Sequence, residues 1–165
     1  MTISMYQASA PLFLRMFGNM NQWLDMAVDK KGAGAEELLG AKLAPDMLPL
    51  LAQFQRASDT SKGAIARLAG VEAPSMPDNE KTIAEVRQRI AKTVDFIKSV
   101  PQSKVDGSEE KEIILKTPNS ELKFTGLAYL SGFVLPNFSF HATTAYGILR
   151  NQGLPLGKMD YLGRA

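Results

Sequence analysis

The stretch KEIILKTPNSELKFTGLAYLSGFVLPNFSFHATTAYGILRN, residues 111–151, changes its hydrophobic period partway along. Up to Phe124 it holds two short runs rich in Ile, Leu and Phe around TPNS, with Leu122 and Phe124 alternating about Lys123. That is the period of a strand, and the two runs read as a hairpin. From Gly126 the spacing becomes three and four. Leu127, Leu130, Val134, Asn137, His141, Thr144 or Ala145, and Ile148 fall on one face of a helix of about 126–151. Pro136 removes an internal hydrogen bond, so a kink is predicted near Phe133 or just before the proline. A lone hairpin is marginally stable and must pack on something.

Three helical patterns precede it. Residues 4–29 carry Tyr6, Ala10, Phe13, Phe17, Met20, Leu24 and Ala27 at helical spacing, flanked by Ser9, Met16 and Trp23. KKGAGAEELLG is a glycine-rich connection with room for one short turn. Residues 43–70 form the second helix, with Leu50, Phe54, Ser58, Ser61, Ile65 and Leu68 inward. Pro45 suits its first turn and Gly70 its stop. Pro49 either lies in that first turn or bends the helix. After a loop with two prolines, Thr82 and Glu85 have capping-box spacing. The third helix then runs to about Ser99 on Ile83, Val86, Ile90, Val94 and Ile97, with Lys81, Glu85, Arg87, Arg89 and Lys92 as its solvated outer face. Four long helices with a hairpin between the third and fourth make a mainly all-α four-helix bundle.

Composition agrees. The chain has 165 residues, 45% apolar and 22% charged, which suits one globular domain spanning 1–165. A net charge of +2 without a like-charge run implies no nucleic-acid partner. The absence of cysteine removes disulfides, thiolate metal sites and thiol nucleophiles. Arg15 interrupts the N-terminal apolar run and no basic region precedes it, so it reads as a domain helix and not a leader. No run approaches the ~18 apolar residues of a membrane span. The expected location is cytoplasmic. The tail LPLGKMDYLGRA, within 153–165, is apolar enough to dock on the body or on a dimer partner.

The chemistry-bearing residues are few. Asn137, His141 and Thr144 follow each other at steps of four and three on the last helix, and His141 is the only histidine. A packed histidine with a hydrogen-bonded neighbour is the simpler reading. The sharper one is a polar pocket at a proline kink. Gln55, Asp59 and Lys62 repeat the spacing on the second helix. They read as an exposed face with a weak Asp–Lys pair, or as the pocket's opposite wall if Gln55 and Asp59 face His141. There is no P-loop, no G-x-G-x-x-G, no nucleophile elbow and no Glu-x-x-His pair.

The segments MTISMYQASAPLFLRMFGNM, LAPDMLPLLAQFQRASDTSKGAIARLAG, PNFSFHATTAYGILRNQG and GKMDYLG resemble the bacterial domain-of-unknown-function family 1993, which is similar in fold to the DinB/YfiT-like metalloenzymes. The resemblance implies a bundle that is often dimeric. In that superfamily one histidine of the second helix and a His-x-x-x-His pair of the last hold a metal, and several members are metal-dependent thiol transferases. Here the pair falls on Asn137 and His141, and the second-helix ligand near Gln55. Amide oxygens are weak substitutes for imidazole, so no metal cofactor is expected. The favoured function is binding of a small polar ligand by Gln55, Asp59, Asn137, His141 and Thr144 around a degenerate metal site, without catalysis. The alternatives are a structural homodimer without a ligand, or a weakly metal-dependent transferase completed by Asp59.

Overall fold

The computed structural model of the protein describes residues 3–117 and 120–163. Helix α1 spans Ala10–Lys31 and a 3-10 segment Gly32–Gly40. Helices α2 and α3 span Leu50–Ala69 and Ile83–Ser99, followed by the short α4 at Gln102–Val105. Strands β1, Glu112–Thr117, and β2, Ser120–Thr125, pair antiparallel. The last helix has three parts: α5 at Gly126–Ala128, a π-helical Tyr129–Val134, and α6 at Leu135–Asn151. A final turn, α7, covers Lys158–Leu162.

The bundle core is what the periodicity predicts. Phe13, Phe17, Met20, Trp23, Leu24, Phe54, Ile65, Leu68, Ile90, Val134, Phe138 and Ile148 are all buried. The Phe138 ring packs on Phe13 and Phe17 at 4.7 and 5.7 Å, tying the last helix to α1. Helix α2 lies between α6 and α3 and buries more than one side. It can do so because Ala57, Gly63, Ala64 and Ala66 let neighbours approach closely.

Boundaries moved where prolines intervene. Helix α1 begins at Ala10, with Pro11 in its first turn, and Tyr6 lies in a preceding turn whose N–H donates to Asp106. Helix α2 begins at Leu50, and Pro45 lies outside it. Pro49 is the extended N-cap (ψ 168°) and disfavours helical backbone at Leu48, so it neither sits inside the helix nor bends it. The capping box is present: Glu85 N–H donates to Thr82 Oγ1 at 3.2 Å, and Thr82 N–H to Glu85 Oε2 at 3.0 Å. Gly70 stops α2 in the left-handed conformation at φ 69°.

The hairpin uses its alternation. Ile113 faces the bundle and pairs with Phe124, whose ring meets Tyr129 and Phe133 at 5.8 and 5.9 Å. The intervening Ile114 and Leu122 are exposed. The turn predicted at TPNS has its central residues, Pro118 and Asn119, outside the described residues. Beyond β2, the Thr125 hydroxyl caps α5. Gly126 passes so close to Ser108 that a Cβ would lie 1.9 Å from its carbonyl oxygen.

The discontinuity predicted before Pro136 is the π segment. The Leu135 N–H donates to Leu130 O, five residues back, and this wider turn accommodates the proline one residue later. The tail folds onto α1. Trp23 Nε1–H donates to Asp160 O at 3.0 Å, Asn19 Nδ2 donates to Tyr161 O at 2.8 Å, and Trp23 stacks on Tyr161. Among the described residues no helix is long and apolar enough to cross a membrane.

Candidate functional site

Helices α2 and α6 meet along a polar seam. Asn137 Nδ2 donates to Thr60 Oγ1 at 2.8 Å, and His141 Nδ1 lies 2.8 Å from Gln53 Oε1. On each helix the partners share a face, four apart on α6 and seven apart on α2. The orientation of the Gln53 amide follows from its other bond: its Nε2 donates to the Leu48 carbonyl at 3.0 Å, and a carbonyl only accepts. The atom facing the imidazole is therefore an acceptor, so His141 Nδ1 carries the proton. In the neutral ring this leaves the Nε2 lone pair without a protein partner among the described residues.

The seam favours that neutral ring. Partial burial, and then the positive charge of Arg56, lower the His141 pKa from 6.5. Because the folded-state value lies below the unfolded one, protonation opposes folding. Stability is expected to fall as pH drops below 6.5 towards the folded-state value, and to level off beneath it. Denaturant melts at stepped pH check this: His141→Gln should flatten the profile in that window, and an unchanged profile would refute the assignment.

Gln55 and Asp59 do not join this seam. Two residues on a helix are about 200° apart, so Gln53 and Gln55 face nearly opposite ways. Gln55 donates to Glu80 at 2.9 Å. Asp59 Oδ1 accepts from Lys62 at 2.7 Å and from Arg89 Nη2 at 2.8 Å. Thr144 donates to Phe140 O on its own helix at 2.7 Å and reaches neither group. The five predicted residues therefore separate into a histidine seam, an arginine-centred cluster and a threonine bonded within its own helix.

Arg89 is the largest departure from the sequence reading. Expected on the solvated face, its side chain is only 2% exposed. It pairs with Asp59, with Asp78 at 3.0 Å and with Glu80 at 2.9 Å. Its position three residues after Val86 and next to Ile90 puts it on the flank of the apolar stripe, where the 71–81 loop covers it. The Asp59–Lys62 pair is part of this cluster, and Lys62 is buried. Burial works against ionisation of Glu80, but hydrogen bonds from Gln55 and Arg89 outweigh it and lower its pKa from 4.5.

The residues missed from sequence are Gln53, Arg56, Thr60 and Arg89. Gln53 carried a signal, since it lies flush with the stripe of Leu50, Phe54 and Ala57. A polar side chain there must find a buried partner.

The donor set does not fit the three-histidine metal site that the resemblance implies. The seam supplies one imidazole and two amides. Gln53 Oε1 is engaged, and the Arg56 charge repels a cation. Among the described residues no three His, Cys, Asp or Glu side chains converge as metal ligands.

The fold has a close relative among solved structures. A DinB family member protein from Shewanella denitrificans superposes with a TM-score of 0.86, at 36% sequence identity over 97% of this chain and 92% of that one. No curated protein matches the chain. The family model described as domain of unknown function (DUF1993) matches residues 5–162. The chain belongs to that DUF1993 family, and its bundle is DinB-like.

Proposed function

We propose that this DinB-like bundle binds a small polar molecule at the α2–α6 seam without a metal, and that His141 anchors it. The observation that supports the reading is the Leu48–Gln53–His141 relay. It holds the imidazole in one tautomer and aims an unshared Nε2 lone pair away from the core. A matching ligand carries a hydroxyl or amine proton for Nε2. The nearby Arg56, half exposed, favours an anionic group beside it.

A thermal-shift screen of small hydroxylated and aminated acids, with and without EDTA, tests the reading. Hits are expected to survive chelation and to disappear in His141→Ala. Hits that persist in that variant, or that require added zinc, nickel or manganese, would overturn it. Nitrogen-15 NMR of labelled histidine should show the proton on Nδ1.

One observation favours a second reading, a homodimer through the same face. Phe140, Leu43 and Leu48, near the seam, are each about half exposed. Phe140→Asp should then lower the mass measured by light scattering, whereas ligand binding alone predicts no change in mass.

A further inference from the structure

A second site lies on the opposite side of α2 from the histidine seam. The 71–81 loop and α3 enclose a cleft of about 270 Å³, lined by Ser75, Met76, Asn79, Gln88, Arg89 and Lys92 among others. Its acceptors are mostly occupied. Glu80 gives one oxygen to Arg89 and the other to Gln55. Glu85 spends Oε2 on the N–H groups of Lys81 and Thr82.

Its donors are not occupied. Arg89 uses both terminal nitrogens, but its buried Nε–H finds no acceptor among the described residues. A buried donor left unmet is costly, and native structures seldom keep one. Lys92 makes no ion pair among the described residues, and the side chains of Ser75, Asn79 and Gln88 make no hydrogen bond there.

Charge narrows the ligand. Asp59, Asp78 and Glu80 are matched by Arg89, Arg56 and Lys62. The unmatched charge at the cleft is therefore the single one on Lys92, which suits a monoanion better than a dianion. Met76 and Pro77 add apolar wall. The volume lies just under the ~300 Å³ of drug-sized pockets. We propose that this cleft binds a small organic monocarboxylate, its carboxylate received by the Arg89 Nε–H and Lys92.

Isobutyrate titrated into the full-length nitrogen-15-labelled protein tests this, with phosphate and chloride at matched ionic strength as controls. Saturable shifts are expected at the Arg89 Nε–H resonance and at the backbone amides of Ser75, Asn79 and Gln88. Lys92→Gln, at an exposed position, should weaken binding about tenfold, as loss of a charge-assisted hydrogen bond does. Shifts that never saturate, that chloride reproduces, that phosphate saturates at lower concentration, or that survive Lys92→Gln would each overturn the proposal. His141→Ala should leave this binding intact, so the outcome is independent of the seam.

Discussion

Arg89→Ala is expected to destabilise the protein by about 3–5 kcal/mol, the range for removing one partner of a buried ion pair. In a domain of this length that lowers the melting temperature by roughly 6–20 °C. The cost does not come from the lost attraction alone. Asp59, Asp78 and Glu80 converge on this one guanidinium, and without it three carboxylates face one another beside a buried loop. Removing one of those charges as well, in Arg89→Ala/Glu80→Gln, should recover part of the loss. The comparison is Arg87→Ala. Arg87 also bonds a carboxylate, Asp25 at 2.6 Å, but Asp25 is 60% exposed. Exposed pairs contribute about 0–1 kcal/mol. Urea denaturation of the three variants decides the matter, and an Arg89→Ala loss no larger than that of Arg87→Ala would falsify the account. The same cluster makes the fold acid-sensitive. The folded-state pKa of Glu80 is below 4.5, so its contribution is complete above that value and is lost as pH falls beneath it.

Trp23→Ala should cost about 3–5 kcal/mol, as large-to-small changes of a buried aromatic do. Trp23 is fully buried, and it also joins the tail to the bundle. Its indole N–H donates to Asp160 O, and its ring contacts both Tyr146 and Tyr161. The variant should therefore lose stability and release α7 together, so that trypsin cleaves after Lys158 in the variant sooner than in the parent. Trp23 is the only tryptophan, so its fluorescence reports the same event. Truncation after Gly153 should shift its emission to longer wavelength as water reaches the ring. Unchanged emission after truncation would show that the tail does not shelter it.

The last helix shows how much was legible beforehand. Its face from Leu130 to Ile148 follows the three-and-four spacing, and its interruption appears next to the proline that signalled it. Thr82 with Glu85, Gly70, and the Ile113–Phe124 alternation were equally local, and each occupies the position its chemistry prescribes. The site was harder to read. Asn137 and His141 do share a face, but their partners Thr60 and Gln53 are 77 and 88 residues away. Nothing in the spacing of Gln55 and Asp59 shows which neighbouring helix they meet. Arg89 was misassigned because charge is a weak guide on the flank of an apolar stripe, where three acids can compensate its burial.

By itself, then, the sequence determined the four helices, the hairpin, their caps and stops, and the absence of a thiolate or three-histidine site, because all of these depend on residue type and near-neighbour spacing. Only the tertiary structure decided that Gln53 and not Gln55 holds His141, that the imidazole proton sits on Nδ1, and that Arg89 is buried among carboxylates. Each of those depends on the rotation of one helix against another. At about 100° per residue, a displacement of two positions turns a side chain to the opposite side of the helix.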